Sequence, residues 1–121
     1  MANILVVDDS LFMRKMIIQI VNEAGYTVVG EATDGNEALQ QYVKLEPDLV
    51  LMDITMPYVT GLEGLELIKK VDPNARVIMC SAMGQQSKIL KAMSLGASDF
   101  IVKPFNKYKV IDTISNALKN K

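Results

Sequence analysis

The stretch ILVVDDSLFMRKMIIQIVNEAGYTVV, residues 4–29, decides the fold. Its first four residues are apolar, rich in β-branched side chains and bounded by Asp8 and Asp9, which predicts a short buried strand. Phe12, Met13, Met16, Ile17, Ile20, Val21 and Ala24 then recur at the i, i+3, i+4 spacing of one helical face. Gly25 stands where a helix C-cap is wanted, and residues 27–29 return to a strand pattern. The segment is a strand, an acidic turn, a helix and a second strand.

The same alternation continues outward. Further strands are predicted at residues 49–52, 77–79 and 100–102. Asp34 before Gly35 opens a second helix whose apolar side is Ala38, Leu39 and Tyr42. Leu65, Ile68 and Val71 mark a third helix ending near Pro73, and Ile89, Leu90 and Met93 a fourth that stops at Gly96. Val110, Ile111, Ile114 and Leu118 give the last. Five strands apolar on both faces, each followed by a helix, predict an α/β fold: one doubly wound, five-stranded parallel sheet with helices on both sides. Ligands of such sheets bind beyond the carboxyl ends of the strands. No linker, low-complexity tract or longer repeat interrupts the pattern, so residues 1–121 are expected to form one domain.

Composition narrows the chemistry. A chain of 121 residues is the size of one domain, and 13 basic against 14 acidic residues leave no nucleic-acid footprint. No apolar run approaches a signal-peptide core or the roughly 20 residues of a membrane span, so a cytoplasmic protein with no membrane partner is expected. Cys80 lies in an apolar run and reads as a buried, inert thiol. Methionines such as Met13, Met16 and Met93 read as core filler. The absence of histidine removes Ser-His-Asp triads, imidazole-ligated zinc and phosphohistidine chemistry on this chain.

The strand ends carry Asp8 and Asp9, then Asp53, then Ser81, then Lys103 followed by Pro104. Two unit charges about 4 Å apart repel by roughly 4 kcal/mol at an effective dielectric of 20, so three carboxylates there require positive charge. Lys103 supplies one; an all-oxygen cluster also suits a hard cation, above all Mg²⁺. Metal, ammonium, hydroxyl and carboxylate together suit phosphoryl transfer, with a carboxylate as nucleophile. Asp53, alone at the end of a central strand, is the best nucleophile, and adjacent Asp8 and Asp9 are better placed to hold metal. Taken singly, each has a plainer reading: Asp53, Asp8 and Asp9 as caps or turn residues, Ser81 as a loop hydroxyl, Lys103 as a solvated charge.

Val6-Val7-Asp8-Asp9-Ser10, Leu51-Met52-Asp53-Ile54-Thr55-Met56-Pro57, Ser81-Ala82 and Val102-Lys103-Pro104-Phe105 resemble, in order and spacing, the response-regulator receiver domains of two-component signalling. The likeness runs from the first strand to the last helix and includes Gly61 and the stretch Gly96-Ala97-Ser98-Asp99-Phe100. It implies the flavodoxin-like strand order 2-1-3-4-5. It further implies Asp53 as phosphoacceptor, Asp9 as a direct Mg²⁺ ligand, Asp8 as a ligand directly or through water, and the Thr55 backbone carbonyl as another. Ser81 and Lys103 would contact the phosphoryl group. The donor would be a phosphohistidine on a partner kinase, and the Lys103–Pro104 bond would be cis.

In such domains Ser81 moves toward the phosphoryl group and the aromatic residue three before the lysine, here Phe100, fills the space vacated. Phe100 often has a tyrosine counterpart, so output contacts on the face of the fourth helix, fifth strand and fifth helix must differ here. Thr55 and Met83 occupy positions that influence attack of water on the acyl phosphate, and the bulk of Met83 implies slow self-dephosphorylation. Ser81 to Gln86 and the Phe12-Met13-Arg14 opening of the first helix look most like stand-alone, monomeric chemotaxis regulators acting on the flagellar motor switch. A phosphorelay intermediate or a domain of a longer transcriptional regulator is the alternative. A haloacid-dehalogenase-type phosphatase is more distant, because its acids are spaced D-x-D and Asp8 and Asp9 are adjacent. A flavodoxin-like flavin binder wants hydroxyls where those acids stand.

Overall fold

A computed structural model describes residues 2–119. Five strands alternate with five helices: β1 Asn3–Val7, α1 Leu11–Glu23, β2 Thr27–Ala32, α2 Gly35–Leu45, β3 Leu49–Asp53, α3 Gly61–Val71, β4 Val77–Ser81, α4 Gln86–Ser94, β5 Asp99–Val102 and α5 Lys107–Lys119. Every pairing is parallel and the order is β2-β1-β3-β4-β5. The sequence of strands therefore reverses direction at β1, and the crevice beyond β1 and β3 is where such a sheet accepts ligands.

The apolar runs are continuous because each strand is buried on both faces. Successive side chains alternate between two cores. Leu5, Val7, Val50, Met52, Val77 and Met79 face the layer of α2, α3 and α4. Ile4, Val6, Leu49, Leu51 and Ile78 face Ile17, Ile20 and Val21 of α1 and Val110, Ile114 and Ala117 of α5. Among the described residues no helix is long and apolar enough to cross a membrane.

Helix ends follow local chemistry. Ser10, Asp34 and Thr60 cap α1, α2 and α3 by accepting from the amides of Met13, Glu37 and Glu63. Gly25 and Gly96 lie just past α1 and α4 with φ of 92° and 99°, a left-handed conformation that glycine adopts without a Cβ clash. Phe12 fits the α1 stripe but is 71% exposed. The reading of Met93 as core filler is corrected. Leu90 and Met93 are 71% and 40% exposed: α4 buries only Ala92 fully, so Met93 is not core filler.

Candidate functional site

Strand register brings the polar residues together. Val7 pairs with Met52 and Asp53 with Cys80, while Ser81 pairs with Val102, so Asp8, Asp53, Ser81 and Lys103 emerge side by side at one end of the sheet. Lys103 Nζ lies 3.3 Å from Asp8 Oδ2 and 3.3 Å from Asp53 Oδ1. Asp8 and Asp53 are buried; Asp9, one residue further out, is exposed. The three carboxylates each offer an oxygen within 4.8 Å of the others. Three negative charges against one ammonium leave two unbalanced, and the donors are all hard oxygens, so the cluster could hold a divalent metal ion of the Mg²⁺ kind.

Each member is fixed by its own loop. Asp8 Oδ1 accepts from the Ser10 amide at 2.9 Å, and Arg14 Nη1 donates to the Asp8 carbonyl at 2.8 Å while Arg14 Nε bonds Glu31. The Lys103 amide donates to the Ser81 carbonyl at 2.7 Å, and the Lys103–Pro104 peptide is cis. Asp53 accepts from the Thr55 amide, which starts the β3–α3 loop. Gly61 closes that loop by donating to the Ile54 carbonyl at 2.9 Å; a Cβ there would collide with the Asp53 carbonyl oxygen, so only glycine fits.

Burial pushes the Asp53 carboxyl up to about 6; the Asp8 carboxylate adds to this, and the Lys103 ammonium works against it. Burial alone would lower Lys103, but the carboxylates of Asp53 and Asp8 outweigh it and hold the ammonium above its ordinary range. Burial also pushes the Cys80 thiol up to about 12, which keeps it protonated and inert at neutral pH. Ser81 Oγ is fully buried and has no hydrogen-bond partner among the described residues. A buried hydroxyl left unpaired is costly, and the strand register puts this one at the same end of the sheet as Asp53.

The family model for the response regulator receiver domain matches residues 4–115. The chain belongs to the response-regulator receiver family. It is 50% identical over 116 residues to the chemotaxis protein CheY of Thermotoga maritima, covering 96% of this chain and 97% of that one. It is 51% identical over 115 residues to the chemotaxis protein CheY of Bacillus subtilis, covering 95% and 96% respectively. Among solved structures, a CheX-CheY-BeF3-Mg complex from Borrelia burgdorferi matches with a TM-score of 0.93 at 38% identity, over 99% of this chain and 90% of that chain. The receiver fold and its strand order are thus those expected from the sequence, and relatives of this kind are signalling proteins.

Outside the acidic cluster, Thr55 is exposed at the start of the β3–α3 loop. Phe100 and Met83 line an apolar groove of about 570 Å³ with Ile89, Leu90, Met93 and Val102. Three contacts had no counterpart in the sequence reading: the Arg14 bond to the Asp8 carbonyl, the Gly61 closure, and a bridge from Gln85 to Thr55 and Ala82. Only Gly61 left a signal, a glycine at fixed spacing after Asp53.

Proposed function

We propose that this receiver is a phosphorylation-activated switch of a chemotaxis two-component pathway, accepting a phosphoryl group on Asp53. The observation that carries the reading is the convergence of Asp53, Asp8 and Lys103 beside the unpartnered hydroxyl of Ser81. An Asp53 carboxylate oxygen attacks the phosphorus of a phosphohistidine on a partner kinase. The P–N bond breaks, its electron pair stays on the imidazole nitrogen, and an acyl phosphate is left on Asp53. Lys103 Nζ, already between Asp53 and Asp8, is positioned to neutralise a phosphoryl oxygen, and Ser81 Oγ to donate a hydrogen bond to another. Mg²⁺, held by Asp8, Asp9, Asp53 and the Thr55 carbonyl, would supply further charge neutralisation of those oxygens.

The acyl phosphate adds about −1.5 to −2 charge at the strand ends, by analogy with other phosphorylated side chains. Ser81 shifts toward it, and the β4–α4 loop follows. Phe100, half-buried on the adjacent strand, turns into the space released and changes the groove it shares with Leu90 and Met93. Switching a population from about 1:99 to 99:1 takes roughly 5.5 kcal/mol, more than one hydrogen bond supplies, so Lys103 and Ser81 act together, and a bound Mg²⁺ would add charge neutralisation to theirs. The output is read on the α4, β5, α5 face by a flagellar motor-switch protein, the chain working in the cytoplasm as a monomer; the identity to proteins named CheY along nearly the whole chain supports that assignment.

The test is phosphotransfer in the presence of Mg²⁺ from a kinase domain carrying phosphohistidine. Wild type should drain the label and Asp53→Asn should leave it on the kinase. The labelled receiver should then bind a motor-switch peptide. Passage of phosphate onward to a histidine phosphotransfer protein, without peptide binding, would instead favour a phosphorelay intermediate.

A further inference from the structure

Helix α4 begins at Gln86, yet the residue at its N-cap, Gln85, makes no capping bond to it. At the corresponding positions of α1, α2 and α3, Ser10, Asp34 and Thr60 all bond their own helix. The Gln85 carboxamide is used elsewhere. Its Oε1 accepts from the Ala82 amide at 2.7 Å, and its Nε2 donates to Thr55 Oγ at 2.8 Å. Ala82 directly follows Ser81, and Thr55 is the residue whose own amide bonds the Asp53 carboxylate. One planar group therefore ties the loop carrying the phosphoryl-accepting end of β3 to the loop carrying the serine.

A phosphoryl group on Asp53 presents three strong acceptor oxygens, and Ser81 Oγ is a buried donor with no partner among the described residues. For Ser81 to move toward such an oxygen, the chain at Ala82 must move with it. Gln85 holds that chain against Thr55. We infer that Gln85 is a positioning residue that latches the resting site, its carboxamide releasing Ala82 or Thr55 when Ser81 engages the phosphoryl group. The inference rests on Asp53 being the phosphoacceptor. A site whose competent arrangement is only fractionally populated binds its ligand more weakly by that fraction, so the latch lowers affinity for the phosphoryl state. Both hydrogen bonds are solvent-exposed, which places each at the low end of the usual range and the pair at about a fivefold effect.

Beryllofluoride, which adds to a carboxylate as a phosphoryl stand-in, probes this directly in Mg²⁺ by titration calorimetry. Gln85→Ala should bind it about fivefold tighter than wild type, with Mg²⁺ affinity in the absence of fluoride unchanged. Thr55→Val, which removes the hydroxyl and keeps the backbone, should bind a few-fold tighter. The double variant should be no tighter than Gln85→Ala, because both substitutions cut the same bridge. Equal or weaker binding by Gln85→Ala, or additive gains in the double variant, would overturn the latch while leaving Asp53 as acceptor. Failure of wild type itself to bind beryllofluoride would remove the acceptor assignment and the latch together.

Discussion

Replacing Asp53 by asparagine should stabilise the metal-free protein at neutral pH. The Asp53 carboxyl is raised from 3.8 to about 6, chiefly by burial and with Asp8 adding to it, a figure that already includes the attraction of Lys103. About two pKa units at 1.36 kcal/mol each amount to roughly 3 kcal/mol by which ionised Asp53 is worse off in the fold than in the unfolded chain. The sign follows from proton counts. Between about pH 4 and 6 the native state holds a proton that the unfolded state has lost, so stability falls as pH rises through that window. A neutral, nearly isosteric amide escapes the penalty. In urea unfolding with a chelator present, Asp53→Asn should exceed wild type by up to roughly 3 kcal/mol at pH 7, and the gap should close near pH 4. Millimolar Mg²⁺ should raise wild type more than the variant and narrow the gap at pH 7. Equal stability at pH 7 without metal, or a gap of the same size at both pH values, would show that ionised Asp53 carries no such penalty in the fold.

Three other substitutions probe separate parts of the structure. Gly61→Ala should cost about 1–3 kcal/mol or more in thermal melts and impair phosphoryl uptake, because its Cβ would meet the Asp53 and Ile54 backbone, which cannot swing aside. Ser81→Ala should leave the resting protein at least as stable as wild type and up to about 1–3 kcal/mol more stable, since it removes a buried hydroxyl that has no partner among the described residues, yet slow labelling by acetyl phosphate. Tyr42→Phe removes a 2.7 Å bond to Asp72 and should cost about 1 kcal/mol at neutral pH. That bond, first among the causes, holds the Asp72 carboxyl below its ordinary range, so its stabilisation is present above about pH 4 and lost as pH falls through the lower folded pKa; wild type should therefore lose more stability than the variant on acidification in urea titrations.

The sheet could be read from the sequence because burial on both faces writes itself as unbroken apolar runs, and the acids, serine and lysine follow those runs directly. The positions of Asp8, Asp53, Ser81 and Lys103 at neighbouring strand ends were accordingly legible in the sequence. Met93 was misread for a physical reason: helical spacing records that one side of α4 is apolar, but not that α4 meets the sheet through Ala92 and leaves Leu90 and Met93 in a groove. The stretch of β2 was underestimated because Gly30 and Glu31 do not look like strand residues; β1 pairs across them with a shift in register between Ile4 and Leu5. The Gln85 bridge to Thr55 spans 30 positions and joins two loops, so no local pattern announces it. Nor does any pattern distinguish a buried unpaired hydroxyl at Ser81 from an ordinary solvated one.

Whether Asp53 is the phosphoacceptor is decided by locating the phosphoryl group. Wild type treated with acetyl phosphate and Mg²⁺ can be trapped with borohydride, which reduces an aspartyl phosphate to homoserine, and the peptides then sequenced by mass spectrometry. Homoserine at position 53, absent when acetyl phosphate is omitted, is the predicted result. Homoserine at position 8 or 9, or none at all in a protein that has taken up phosphate, would contradict it.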